Sequence, residues 1–219
     1  ERAAVLEEEY GRATHKKSLN YGFGFPELVE SFARAVKQDR QHVNVLAFRG
    51  VKDPDQLKLA PLAHVAGAGK RLDLRTTAWI MGKALKLLAF FHSVGCTVGR
   101  IDLENFLVQV DQHFVLFLDW SEATIADQPP DREDQRREIM QAAQAAIAVA
   151  GGNHALRFFP DDEDEEGRLK TGELTPYADQ LFALAAGSHH DAKEAHKAFY
   201  AIADSLWDPS EFHRARWYD

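Results

Sequence analysis

The chain has 219 residues, of which 45% are hydrophobic and 27% charged, enough for one sizeable domain or two small lobes. Its formal net charge of -8 disfavours nucleic acids and anionic membrane surfaces as partners. The single cysteine, Cys96, excludes an intrachain disulfide framework and predicts a reducing, cytoplasmic environment. No apolar run approaches the roughly 18 residues needed to span a bilayer, so no membrane contact is expected.

The first part of the chain predicts a helix followed by a β-hairpin. Apolar residues among charges in residues 1–15 indicate one exposed helix. In residues 27–48, two β-prone runs flank a polar turn at residues 37–41, which is typical of a hairpin. Residues 51–62 contain two prolines at irregular spacing and predict a connector that could serve as a hinge.

A long amphipathic helix is the clearest element of the sequence. Asp73 stands at its N-cap, and apolar residues then recur at three- and four-residue steps as far as Phe91. Gly95 can adopt the left-handed conformation that ends a helix. The aromatic residues Trp79, Phe90 and Phe91 of this helix are expected in the core.

A second hairpin is predicted next, and the rest of the chain is expected to be nearly all helical. β-Branched and aromatic residues flank a turn within residues 106–118. Asp131 can cap a helix with an alanine-rich interior, which Gly151 and Gly152 end. Six adjacent acids at residues 161–166 repel one another and predict a solvated loop. Two more helices are predicted at residues 176–186 and 191–207, before an aromatic, basic tail.

The order of these elements, together with two short motifs, resembles a protein kinase from its αC helix onward. Residues 92–108 are similar to the end of the αE helix and the catalytic loop of that family, and residues 116–123 are similar to its metal-binding segment. The resemblance implies an α+β, protein-kinase-like fold. Residues 1–62 would form a reduced N-terminal lobe with an αC-like helix, a hairpin and a hinge, and residues 63–219 a mainly helical C-terminal lobe.

Aligned on Asn105, the resemblance implies which site residues are kept. Asn105 matches the family's second-metal asparagine, and Asp119 matches its metal-binding aspartate, with Trp120 in place of the usual phenylalanine. The family's His-Arg-Asp triplet falls on residues 98–100, so Arg100 replaces the catalytic aspartate. The degenerate loop and the Asp-Trp pair also resemble those of kinase-like proteins of bacteria and their viruses.

Arg100 cannot do the work of the aspartate that it replaces, because a guanidinium stays protonated and offers only donors. Loss of a positioned general base costs about a hundredfold to ten-thousandfold in rate. Asp102 is a candidate substitute if the loop is shorter than usual, and otherwise a solvated loop acid. Asn105 and Asp119 are candidate magnesium ligands, or else they hydrogen-bond the local backbone. The Gly-Phe-Gly at residues 22–24 is too poorly placed to serve as the family's phosphate-covering loop.

These residues predict a pseudokinase, a catalytically impaired kinase-like domain that acts as a binding, scaffold or regulatory module. No cofactor is then expected. The alternative is an atypical kinase or small-molecule phosphotransferase that uses ATP and magnesium through Asp102 and Asp119, helped by a glycine-rich loop and a lysine upstream of Glu1. An all-helical adaptor is a third reading. The expected partner is another protein or a second copy of the chain, with residues 212–218 as candidate contact surface or as a tail packed on the helical lobe.

Overall fold

The computed structural model describes residues 27–36, 39–47, 59–109, 113–160, 175–208, 213–215 and 217–218. Within these stretches the protein is mixed α and β, with five helices and small sheets, which is the α+β class that the sequence predicts. The hypothesis of an all-helical fold is therefore wrong. The chain divides into two compact units, Glu1–Lys58 and Leu59–Asp219. No helix within the described residues is both long and apolar enough to cross a bilayer.

The described residues of the first unit form the predicted hairpin. Strand β1 (Glu27–Val36) pairs antiparallel with strand β2 (Asp39–Ala47). The strands are longer than expected, since most of the predicted turn lies within β2. The register shifts between Leu28 and Glu30, as in a β-bulge. The helix predicted for residues 1–15 and the larger part of the connector lie outside the described residues.

The second unit begins with three short elements that the sequence did not predict. They are β3 (Ala60–Pro61), helix α1 (Leu62–Gly67) and β4 (Arg71–Leu72). Residues 59–62, which the expected division assigned to the first lobe, thus lie in the second unit. Elements of two residues have no periodicity, so they are defined only by what they pair with in the folded chain.

Helix α2 (Leu74–Ser93) confirms the clearest prediction. The Asp73 carboxylate accepts a hydrogen bond from the Thr76 N–H at 2.9 Å and so caps the helix. Gly95 adopts φ 76°, and a Cβ there would lie 2.1 Å from a backbone oxygen, so no other residue fits. Phe90 and Phe91 are buried as expected, whereas Trp79 is only half-buried.

Two small sheets follow the helix. Strand β5 (Cys96–Thr97) pairs with β8 (Thr124–Ile125). Strands β6 (Phe106–Gln109) and β7 (Phe114–Phe117) form the predicted second hairpin, and β3 completes a three-stranded antiparallel sheet in the order β3-β6-β7. The aromatic rings of Phe106 and Phe117 are fully buried with centroids 5.1 Å apart, which anchors this hairpin in the core.

The remaining helices are α3 (Arg132–Val149), α4 (Thr175–Ala185) and α5 (Ala192–Leu206), close to their predicted positions. Asp131 caps α3 by accepting from the Asp134 N–H at 2.8 Å. The acidic loop predicted before α4 lies outside the described residues. Near the end of the chain, β9 (Trp217–Tyr218) pairs with β4. The backbone of Trp217 and Tyr218 is therefore paired within the second unit, as one of the two interpretations of that segment expected.

Candidate functional site

The loop between β5 and β6 brings the predicted site residues to the point where β7 ends. A turn closes the loop, with the Phe106 N–H donating to the Asp102 carbonyl at 2.9 Å. The Ala63 N–H of α1 donates to the Leu103 carbonyl at 2.9 Å. The loop is therefore fixed both to its own strand and to a neighbouring helix.

Asn105 connects the loop to the exit of β7 through its buried side chain, which is 3% exposed. The amide nitrogen donates to the Arg100 carbonyl at 2.6 Å and to the Asp119 carbonyl at 3.0 Å. The amide oxygen accepts from the Leu118 N–H at 2.7 Å and from the Asp119 N–H. Both ends of the amide are thus committed to backbone groups, which is the loop-binding role that the sequence had left open.

Arg100 lies between two carboxylates. Its Nε is 3.0 Å from Asp102 Oδ2, and its Nη2 is 3.5 Å from Asp119 Oδ2. We call these three side chains the Arg100 bridge. All three are between 41% and 46% exposed, so each ion pair contributes only about 0–1 kcal/mol to stability. The bridge matters for the chemistry of the site more than for the fold.

Each carboxylate of the Arg100 bridge uses its second oxygen to accept from the backbone. Asp102 Oδ1 accepts from the N–H groups of Glu104 and Asn105 at 3.0 and 2.9 Å. Asp119 Oδ1 accepts from the Ser121 N–H at 3.0 Å. Hydrogen bonds from Ser121, and more weakly the Arg100 charge, hold the pKa of Asp119 below its usual range. Asp119 is therefore a fully ionised turn-capping acid at neutral pH.

Glu138, a buried acid on α3, binds the loop between β5 and β6. This residue was not identified from the sequence. Glu138 is 0% exposed; its Oε1 accepts from the Gly99 N–H at 2.6 Å, and its Oε2 lies 2.8 Å from His92 Nε2. One turn further along α3, Gln141 Oε1 accepts from the Ile101 N–H at 3.1 Å. One sequence feature could have identified Glu138: it is an acid on the face of α3 that otherwise carries buried alanines.

Gly99 lets the loop approach the segment after β7 closely. It adopts φ 90°, and a Cβ at this position would lie 2.3 Å from the Glu122 carbonyl oxygen. Only glycine allows this conformation and this approach. The neighbouring Trp120 donates its indole N–H to the Phe117 carbonyl at 2.8 Å and packs edge-on against Phe91. The position that resembles the family's phenylalanine is thus part of the packing around the site.

The contacts described above already occupy oxygen atoms of the candidate metal ligands Asp102, Asn105 and Asp119. One guanidinium pairs with both Asp102 and Asp119, and the amide oxygen of Asn105 accepts two backbone hydrogen bonds. A magnesium ion held by these three side chains would have to displace such contacts, because magnesium needs oxygen ligands that are free to coordinate it. No group of three or more His, Cys, Asp or Glu side chains in the described stretches could hold a metal ion.

Cys96 is buried, as the sequence indicated. Burial, and then the charge of Glu138, raise the pKa of its thiol to about 11. A thiol with that pKa stays protonated at neutral pH and is a poor nucleophile. Its burial and raised pKa favour a structural role over that of a nucleophile.

The sequence matches no protein-family model, and no curated protein is significantly similar to it.

Proposed function

We propose that the chain is a catalytically impaired protein-kinase-like domain that acts as a binding, scaffold or regulatory module. The fold-level part of the proposal rests on the resemblance of the loop and of the Asp-Trp segment to that family. The single observation that carries the functional part is the Arg100 bridge. A permanent cation occupies the position where the resemblance expects a proton acceptor, and it pairs with both nearby acids.

Phosphoryl transfer depends mainly on positioning the reactants and on neutralising the charge of the phosphates. Arg100 cannot accept a proton from an attacking hydroxyl, since its guanidinium carries only donors. Asn105 is held by four hydrogen bonds to the backbone. The groups that would bind metal and activate the nucleophile are thus engaged in structural contacts, and this favours binding over catalysis.

One observation favours the alternative, an atypical phosphotransferase that uses ATP and magnesium. Asp102 and Asp119 contact the same guanidinium, so the two carboxylates lie near each other. If Arg100 swung out toward solvent, they could together bind a divalent ion that carries a nucleotide. In that case Asp102 would act as the substitute acid.

Thermal unfolding with magnesium and ATP separates the two proposals. A ligand present at a thousand times its dissociation constant raises the apparent free energy of unfolding by about 4 kcal/mol. We expect no such shift and no transfer of the terminal phosphate. Transfer at an ordinary kinase rate that Asp102→Asn or Asp119→Asn abolishes would refute the proposal. Asp179→Asn is the matched control, because it removes an exposed acid on α4 that pairs with Arg157.

The partner that we propose for this binding module is another protein or a second copy of the chain. Sedimentation of the purified chain over a range of concentrations tests the second case directly. Replacing Trp217 and Tyr218 with alanine should weaken association with either partner if the terminal segment is the contact surface. Unchanged association in that variant would assign the segment to the intramolecular pairing of β9 alone.

A further inference from the structure

A pocket between α2 and α5 lies apart from the Arg100 bridge and has a volume of about 240 Å³. Four aromatic side chains bound it: Trp79 from α2, Phe199 and Tyr200 from α5, and Trp207 just after α5. Lys83 of α2 and Asp204 of α5 lie at its edge. Aromatic walls with a few charged groups of opposite sign are typical of sites for small molecules.

The packing of α2 against α5 holds the aromatic walls in place. Trp79 stacks on His113 with ring centroids 4.4 Å apart and planes 6° apart. Tyr200 covers Gly82 so closely that a Cβ there would lie 2.9 Å from its ring. Trp207 meets the fully buried Tyr177 edge-on at 5.3 Å. The pocket is thus largely preformed, which limits the entropy that a ligand loses on binding.

Two charged groups of the pocket are available to a ligand. Lys83 and Asp204 are exposed, and neither forms an ion pair within the described part of the chain. The other charged groups of the pocket have contacts of their own; His213, for example, lies 3.0 Å from the Asp73 carboxylate. In addition, the Trp79 indole N–H is buried and has no hydrogen-bond partner. Because that N–H is shielded from solvent, its signal reports on the packing of Trp79 at the wall of the pocket.

We propose that this pocket binds a small zwitterion with an aromatic body, the size of an aromatic amino acid. The aromatic body lies between Trp79 and Tyr200, the ligand carboxylate pairs with Lys83, and its ammonium pairs with Asp204. A volume of about 240 Å³ lies just below the roughly 300–1,000 Å³ that is usual for ligand pockets, and it suits a small ligand. This inference does not depend on the proposed pseudokinase function.

The charge requirement can be tested with three indole compounds. We expect L-tryptophan to bind with a dissociation constant of about 1 mM or lower, as is typical for a ligand of this size. Tryptamine lacks the carboxylate and indole-3-propionate lacks the ammonium, and each should bind about threefold to tenfold more weakly. The readout is the indole N–H signal of Trp79 in nitrogen-15 correlation spectra, assigned by its loss in Trp79→Phe.

Two variants show whether the named side chains are responsible. Lys83→Met should remove the preference for L-tryptophan over tryptamine, and Asp204→Asn should remove the preference over indole-3-propionate. Lys193→Met and Asp179→Asn are the matched controls and should leave both preferences intact, since these exposed residues do not line the pocket. Absence of any saturable change in the Trp79 signal, or preferences that survive both pocket variants, would overturn the proposal.

Discussion

Replacing Glu138 with alanine should lower the free energy of unfolding of the second unit by about 2–5 kcal/mol, because two polar groups lose the carboxylate that they contact. The carboxylate is fully buried, and its two oxygens contact the Gly99 N–H at 2.6 Å and His92 Nε2 at 2.8 Å. The alanine variant removes this partner from the buried His92 ring nitrogen and from the partly buried Gly99 N–H, and each loss costs up to about 1–3 kcal/mol. Domains of this size are typically stable by about 5–15 kcal/mol, so the loss is large.

Urea denaturation followed by tryptophan fluorescence measures this loss. All four tryptophans of the chain lie in the unit Leu59–Asp219, so the signal reports on that unit. Glu133→Ala is the matched control, because Glu133 lies on the same helix, is 68% exposed and pairs with Arg136 at 2.8 Å. We expect that control to lose less than about 1 kcal/mol. If both variants lose similar amounts at an unchanged denaturant slope, the assigned role of Glu138 is wrong.

Further predictions concern the loop and its surroundings. Gly99→Ala should destabilise the fold by about 2 kcal/mol or more in the same assay, whereas Gly67→Ala, with open space around its Cβ, should change stability by less than about 1 kcal/mol. Asn105→Ala should cost about 2–4 kcal/mol because four hydrogen bonds between its side chain and the backbone are lost, and a neutral result would contradict the role assigned to Asn105. Since the folded state lowers the pKa of Asp119, its contribution should be fully present above the usual pKa of about 3.9 and be lost as the pH falls through the lower folded value. The stability difference between the wild type and Asp119→Asn should therefore be constant above about pH 5 and shrink below about pH 4, and a difference that persists at lower pH would contradict this. Cys96 should react with a thiol reagent only as fast as the unit opens, and labelling at the rate of an exposed thiol would show that it is not buried.

Helices were predictable where local chemistry defines both of their ends. Asp73 and Asp131 cap α2 and α3 through hydrogen bonds three residues away, and Gly95 ends its segment with a positive φ. These signals lie within a few residues of one another, so the sequence alone is sufficient. The two hairpins were predictable for the same reason, although the first strand pair extends further into the polar turn than β propensity indicates.

The remaining features depend on contacts between distant residues, which a single sequence does not reveal. Strands of two residues, such as β3 and β4, exist only because a partner strand lies beside them. Trp79 was expected in the core, but it lies at the edge of the apolar stripe and stacks on His113 instead. The sequence identified Arg100, Asp102, Asn105 and Asp119 as site candidates, and the structure brings all four together. Their mutual pairing could not be derived from spacing alone.

The pairing of β4 with β9 has a consequence for biosynthesis. Arg71 and Leu72 lie directly before the cap of α2, yet their partners are Tyr218 and Trp217, across most of the unit's sequence. During translation, β4 therefore lacks this partner strand until residues 217 and 218 have been made, after the five described helices. A ribosome stalled before residue 217 would present a chain in which the edge of β4 is still open to other strands.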